Sequence, residues 1–372
     1  MPHTAKEKII NIDKKDDTLV LLKSPTGSQV WIAGRGASIE ELALAPPDGE
    51  PQRLVFSQWD AVRSCYGEER QTNPLDYTKE MHRSAAIERR KNPMAGGVPI
   101  TFLPGRLYGG QGRFLQPGGD YKQFSVANSH PQFGSLLHLG EGKNQDFSVE
   151  SCLEGDSAKA RFRGTVGKNL PGFPQGIFVD VGYELKKNTL TRGTTITNKT
   201  GMHILLPSAD HGSYMPGKGN VRDLSVLIKT NGGYELDPKT KVATGRLAHR
   251  ESIFDCHKPV EITRPIEGMY RIAPTDPPSY PLIEIVNRNE GIGLQIGADP
   301  LTQVVYGWVP PSENFFSAQP YNGQPTAALH MPAFPEVERM DPIFKQNIET
   351  MLPPNQSITY RQVFSAINDF SE

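Results

Sequence analysis

The chain has 372 residues, of which 37% are hydrophobic and 22% charged, the composition of an ordinary globular protein. Its formal net charge of -1 provides no broad electrostatic field, so the sequence predicts neither nucleic acid nor a membrane surface as a partner. The length allows two or three domains. A large all-β sandwich can nevertheless hold a chain of this size as one domain, and we expect a single domain over 1–372.

Cysteine and histidine spacing argues against disulfides and metal sites. The three cysteines, Cys65, Cys152 and Cys256, are widely separated and form no C-x-x-C pair. The nine histidines include neither H-x-H nor H-E-x-x-H, so no metal is predicted. The start of the chain lacks the apolar core of a secretory signal, and no long apolar window occurs, which indicates a cytoplasmic protein.

In chain order, the predicted elements are mostly short strands. Glycine (36 residues) and proline (32 residues) are dispersed and punctuate apolar runs rich in Val, Ile, Phe and Tyr. The clearest predicted strands are 18–22, 29–33, 178–185, 190–198, 224–229, 282–286, 293–296 and 357–364. Because only the four residues 186–189, which include Lys186-Lys187-Asn188, separate the third from the fourth, these two predict a hairpin.

Helical signals are few, and the best candidates are the short segments 78–91 and 341–351. An open sheet built from so many strands would leave long unpaired edges, so two packed sheets are the more stable arrangement. The sequence therefore predicts an all-β fold: a large antiparallel β-sandwich with a few short helices.

Five segments resemble motifs of the aldose 1-epimerase (galactose mutarotase-like) superfamily. Residues 34–42 resemble its opening pair of strands, and 96–104 resemble the Gly-Gly-Ile-Pro segment of its hexose-6-phosphate 1-epimerase branch. Residues 194–200 resemble a strand ending in an asparagine turn, and 208–214 resemble the His-Pro-Tyr-Phe motif. Residues 352–357 resemble the closing turn. The resemblance implies a galactose mutarotase-like supersandwich and a cofactor-free reaction on a sugar or sugar phosphate.

The similarity extends over 18–367 and implies a set of site residues. His211 matches the acid histidine of the family, although a histidine hydrogen-bonded within a loop is the alternative interpretation. His138 is the candidate second histidine, but the best local register places Leu139 there, and His130 is another candidate. The substrate-binding residues implied by the resemblance are Arg106, His138, Asp210, Tyr214 and Asp255.

Gln319 is the most consequential departure from the family pattern. The resemblance puts Gln319 where the epimerases carry a glutamate that accepts a proton. A carboxamide has the same shape and binds a sugar hydroxyl, but it does not take a proton at neutral pH. Glu313 and Asp255 are nearby carboxylates, and neither is at the expected place.

The sequence leaves several functions open. The first is an aldose 1-epimerase that interconverts anomers by acid/base ring opening, with His211 and Gln319 at the catalytic positions. The second is a sugar-binding relative that has lost the base, and the third is another isomerase or lyase reaction on the same scaffold. Aromatic residues around 306–321 suit either a sugar-stacking platform or the sandwich core. A nucleophilic Cys256 is disfavoured because Asp255 and His257, its neighbours in the chain, point away from it on a strand.

Overall fold

The structure is a computed structural model. It describes residues 2–12, 15–57, 59–60, 97–102, 106–108, 111–115, 121–125, 129–130, 134–138, 145–168, 174–205, 208–238, 243–249, 254–272, 282–309, 314–322, 341–342, 344 and 351–370. Within these ranges, only the backbone is described at 7–12, 15–17, 100–138, 205, 208 and 322.

The larger main sheet has nine antiparallel strands. In spatial order they are Ser148–Leu153 (β12), Ala158–Val166 (β13), Ile177–Lys186 (β14), Thr189–Asn198 (β15), Ser357–Ile367 (β29), Ile292–Ala298 (β25), Ile283–Asn287 (β24), Leu224–Ile228 (β19) and Val260–Glu261 (β22). Along β15 every second residue from Leu190 to Asn198 is buried. One face of this sheet therefore lines the core and the other faces solvent.

The second main sheet has eight strands, also antiparallel. Seven follow one path: Ala243–Leu247 (β21), Thr230–Leu236 (β20), Glu267–Ile272 (β23), Thr302–Trp308 (β26), Phe316–Asn322 (β27), Ser208–Asp210 (β17) and Ile100–Phe102 (β6). The eighth, Gly212–Tyr214 (β18), pairs with β27 beyond the end of β17. The strand β27 is thus paired with two consecutive short strands along one edge.

Smaller sheets complete the described part of the fold. A five-stranded sheet contains Thr4–Ile12 (β1), Lys15–Lys23 (β2), Gln29–Ala33 (β3), Ser38–Leu44 (β4) and Gln52–Arg53 (β5). The other small sheets comprise Arg106–Tyr108 (β7) with Gly134–His138 (β11) and Ser129–His130 (β10), Gln111–Leu115 (β8) with Tyr121–Ser125 (β9), and Ile204–Leu205 (β16) with Met351–Leu352 (β28). A 3-10 helix at Val221–Asp223 leads into β19.

One hydrophobic core joins the main sheets. Leu190 and Phe364 from the nine-stranded sheet belong to the same buried cluster as Phe316 and Ala318 from the eight-stranded sheet. The alternation of buried and exposed residues along the strands gives each sheet an apolar side, and burying these two sides against each other stabilises the sandwich.

The predicted all-β sandwich is confirmed. Each of the eight predicted strand segments falls on an observed strand, with ends that differ by at most a few residues. The hairpin is confirmed as well, because Leu185 pairs with Leu190 and Lys186 with Thr189, and Lys187 takes a positive φ of 53° in the turn. The predicted helix at 78–91 lies outside the described residues, as does most of the one at 341–351.

Candidate functional site

The strand β27 brings the two candidate catalytic residues together. Ala209 of β17 pairs with Tyr321, and Gly212 of β18 pairs with Ala318. These two pairs follow one register, in which each step forward from residue 209 is matched by one step back from residue 321. His211, which lies between β17 and β18, is therefore opposite Gln319. Directly opposed residues of an antiparallel pair point to the same face, with Cβ atoms about 5 Å apart. Both residues are 1% exposed.

Gln319 is held by hydrogen bonds within its own strand. Its Nε2 donates to the Ser317 hydroxyl at 3.3 Å, and the Tyr321 hydroxyl donates to its Oε1 at 2.9 Å. These three residues alternate along β27 and therefore share one face. The amide is fixed in orientation beside His211, whose backbone N–H donates to the carbonyl of Pro99 at 3.0 Å.

The same face continues across β26. Tyr306 pairs with Gln319, and Trp308 pairs with Ser317. Both aromatic residues are partly exposed, and the Tyr306 hydroxyl donates to Oε1 of Glu267 at 2.7 Å. We call the side of the eight-stranded sheet that carries His211, Gln319 and Tyr306 the His211 face. It combines aromatic rings, an imidazole, an amide and a carboxylate.

Asp210 lies on the opposite side of the sheet from His211. It forms an ion pair with Arg192 of β15, and both side chains are 1% exposed. Arg192 also donates to Oε1 of Gln362 at 2.7 Å and to the carbonyl of Val98 at 3.2 Å. Burial raises the pKa of the Asp210 carboxyl above its ordinary value of 3.8, while Arg192 acts in the opposite direction. Because Asp210 points toward the nine-stranded sheet, its carboxylate is directed into the core between the sheets.

Tyr214 is on the same side as Asp210. Its ring lies over Gly212, where an added Cβ atom would come within 2.2 Å of the ring. Burial raises the pKa of the Tyr214 hydroxyl. The structure therefore does not bring Asp210 and Tyr214, two of the expected substrate-binding residues, to the His211 face.

Arg106 and His138 are cross-strand partners. His138 of β11 pairs with Arg106 of β7 in the three-stranded sheet. Their backbones are described and their side chains lie outside what the structure describes. The backbones of these two expected sugar-binding residues are therefore adjacent. The alternative residue His130 lies on β10 of the same sheet, whereas Leu139 and Glu313 lie outside the described residues.

Asp255 is not near His211. Its carboxylate pairs with the ring of His257, and both side chains are more than a third exposed. The carbonyl of the adjacent Cys256 accepts a hydrogen bond from Ile228, so this segment lies beside β19 of the nine-stranded sheet. Burial raises the pKa of the Cys256 thiol to about 12, which disfavours a reactive thiolate.

Sequence reasoning missed Glu267 and Arg192. Glu267 begins β23, a strand that was not among the predicted segments. Arg192 falls in the predicted strand 190–198, at a position that alternation with Leu190 and Ile196 assigns to the core. A charged residue at an inward position of an alternating strand is a signal of a buried ion pair, and it was detectable in the sequence.

Across the described ranges, no three His, Cys, Asp or Glu side chains are grouped so that they could hold a metal ion. In the same part of the chain, no helix has the length and apolar character needed to cross a membrane.

The antiparallel supersandwich has the galactose mutarotase-like fold. A galactose mutarotase-like protein from Clostridium acetobutylicum is similar over 99% of both chains, with a TM-score of 0.72 and 14% identity. A putative aldose 1-epimerase from Escherichia coli K12 (TM-score 0.63, 14% identity) matches over 94% of this chain and 99% of its own. Galactose 1-epimerase from Lactobacillus acidophilus (TM-score 0.63, 14% identity) matches over 98% and 99%.

No family model matches the chain, and no curated protein sequence matches it significantly. The structural similarity confirms the fold that the resemblance to the aldose 1-epimerase superfamily implied. At these identities the neighbours establish the fold alone, so the activity has to be argued from the residues of this chain.

Proposed function

We propose that this chain is a carbohydrate-active protein of the aldose 1-epimerase type, which binds a sugar or sugar phosphate on the His211 face and interconverts its anomers. The observation that carries the proposal is the position of His211 opposite Gln319 of β27, beside a partly exposed Tyr306 and Trp308. Structural neighbours described as galactose 1-epimerase and putative aldose 1-epimerase support it.

The reaction needs an acid and a base on either side of a bound sugar. A base removes the proton of the anomeric hydroxyl while an acid protonates the ring oxygen, and the roles reverse when the ring closes. Histidine suits the acid role because its unperturbed pKa lies near neutrality. In this proposal His211 is the acid, and Gln319 orients a sugar hydroxyl through its carboxamide.

Two further residues complete the proposed binding site. Arg106 and His138, which pair across β7 and β11, are proposed to bind sugar hydroxyls or a phosphate group. Asp210 and Tyr214 are not included, because their side chains point to the other side of the sheet. Asp255 is not included either, because it lies beside β19.

Gln319 also favours a second candidate, a sugar-binding protein without turnover. Its carboxamide is hydrogen-bonded at both the oxygen and the nitrogen, and it replaces the proton acceptor that the family resemblance leads one to expect. Such a protein would keep the sugar pocket, yet it would lack the base that opens the ring.

Exchange NMR with a panel of aldoses and aldose phosphates tests both candidates. Under the first, the wild-type protein accelerates interconversion of α and β anomers, and His211→Ala lowers the rate by about 10²–10⁴-fold. Under the second, saturation-transfer NMR detects sugar binding without acceleration, and Gln319→Glu creates the activity.

A matched control is His257→Ala, which removes a half-exposed histidine beside the other main sheet. It should leave the exchange rate unchanged. If no member of the panel binds or is turned over by the wild-type protein, both candidates are refuted.

A further inference from the structure

A transverse row of side chains crosses the His211 face. His211, Gln319 and Tyr306 occupy neighbouring strands at the same level, because Tyr306 pairs with Gln319 and Gln319 lies opposite His211. Two strand spacings separate the outer members of the row, so their backbones are roughly 9.6 Å apart. A monosaccharide lying over Gln319 would therefore contact His211 on one side and Tyr306 on the other.

Tyr306 carries a proton that is already directed at a carboxylate. Its hydroxyl donates to Oε1 of Glu267 at 2.7 Å, and both residues are partly exposed. A phenol donates one hydrogen bond and can accept others at the same oxygen. A sugar hydroxyl that donates to the Tyr306 oxygen would thus be connected to Glu267 through a continuous hydrogen-bonded chain.

We propose that Tyr306 and Glu267 act together as the proton acceptor that Gln319 cannot be, an inference that rests on the proposed epimerase function. The anomeric hydroxyl gives its proton to the Tyr306 oxygen as the Tyr306 proton moves to Oε1 of Glu267. The oxygen's electron pair forms the carbonyl, and the bond from the anomeric carbon to the ring oxygen breaks. The ring oxygen keeps that electron pair and takes a proton from the protonated His211.

The products of this step are the open-chain aldehyde, neutral His211 and protonated Glu267, and ring closure on the other face reverses each transfer. Charge and protons balance without a cofactor. Tyr306 is the residue that contacts the substrate, and Glu267 acts through Tyr306.

Among the described residues, a second carboxylate accepts a hydrogen bond from a tyrosine of this sheet. Asp341 accepts a hydrogen bond from Tyr234 at 3.1 Å and forms an ion pair with Arg271 at 3.2 Å. Tyr234 pairs with Met269, which in turn pairs with Tyr306, so Tyr234 lies two strands beyond Tyr306 and four from His211. This second pair provides a matched control, since Tyr234→Phe removes the same type of hydrogen bond away from the proposed sugar position.

The test measures kcat by exchange NMR and sugar affinity by saturation-transfer titration on the same variants. We expect Tyr306→Phe and Glu267→Gln each to lower kcat by about 10²–10⁴-fold while the sugar Kd stays within about threefold of wild type. Tyr234→Phe should keep the wild-type kcat. The double variant Glu267→Gln with Gln319→Glu should regain activity, because a carboxylate at position 319 replaces the relay. A merely structural role of Glu267 would not permit that rescue.

The relay is refuted if the wild type is active and Tyr306→Phe or Glu267→Gln keeps its kcat. It is also refuted if both variants lose kcat and sugar binding together and Gln319→Glu restores neither. A wild-type protein that accelerates no anomer exchange would refute the relay and the epimerase function together, an outcome distinct from the first two.

Discussion

The ion pair of Arg192 and Asp210 behind the His211 face allows a quantitative prediction for the variant Arg192→Met. Methionine fills much of the volume but leaves Asp210 without its countercharge at a fully buried position. Removing one partner of a buried pair typically costs about 3–5 kcal/mol, because an uncompensated charge stays in the core. We expect a loss of this size in the free energy of unfolding at pH 8.

The loss of unfolding free energy in Arg192→Met should be smaller at low pH than at pH 8. Burial raises the pKa of Asp210 above 3.8, and Arg192 opposes that increase, so the variant has an even higher folded-state pKa than wild type. A carboxyl whose folded pKa lies above its unfolded value favours folding below the unfolded value and loses that contribution as pH rises through the folded value. The stability difference between wild type and variant should therefore be smallest near pH 4, at about 1–3 kcal/mol, and grow toward pH 8.

Urea unfolding followed by tryptophan fluorescence at several pH values measures this difference. The matched control is Arg161→Met, which removes an arginine from a solvent-exposed pair with Asp180. An exposed pair contributes about 0–1 kcal/mol, so the control should change little at any pH. A loss for Arg192→Met that matches the control, or one that grows as the pH falls, would refute this account of the buried pair.

Two further experiments, a glycine substitution and a cysteine labelling, test the packing of the core. The variant Gly212→Ala places a methyl group against the ring of buried Tyr214 and should lower the unfolding free energy by about 1–3 kcal/mol. The control Gly193→Ala adds a methyl group that meets no atom within 4 Å, so it should be neutral or slightly stabilising. Equal thermal shifts for the two variants would contradict this. Iodoacetamide at pH 8 should spare Cys256, because its raised pKa of about 12 leaves a thiolate fraction on the order of 10⁻⁴. Peptide mass spectrometry should find the partly exposed Cys152 labelled before Cys256, and comparable labelling of these two thiols in the folded protein would be evidence against the buried site.

Much of the fold could be predicted from local sequence patterns. The alternation in 178–185 and 190–198, together with the short Lys-rich turn between them, determines the hairpin, because side chains alternate faces with a period of two residues along any strand. The same period implies that Arg192 points inward, a consequence that the sequence analysis missed. It also implies that adjacent residues such as Asp210 and His211 point to opposite faces of the sheet.

The partners of these residues depended on tertiary structure. Sequence order cannot specify that β27 pairs with both β17 and β18, nor that β23 pairs with β26, since these partners are distant in the chain and their pairing is set by packing of the whole sheet. That pairing alone set Gln319 beside His211, brought Tyr306 and Glu267 to the same face, and gave Asp210 its partner in the core. The sequence by itself determined the strands and the chemical groups that they carry, and the register between distant strands decided which of those groups can act on one molecule.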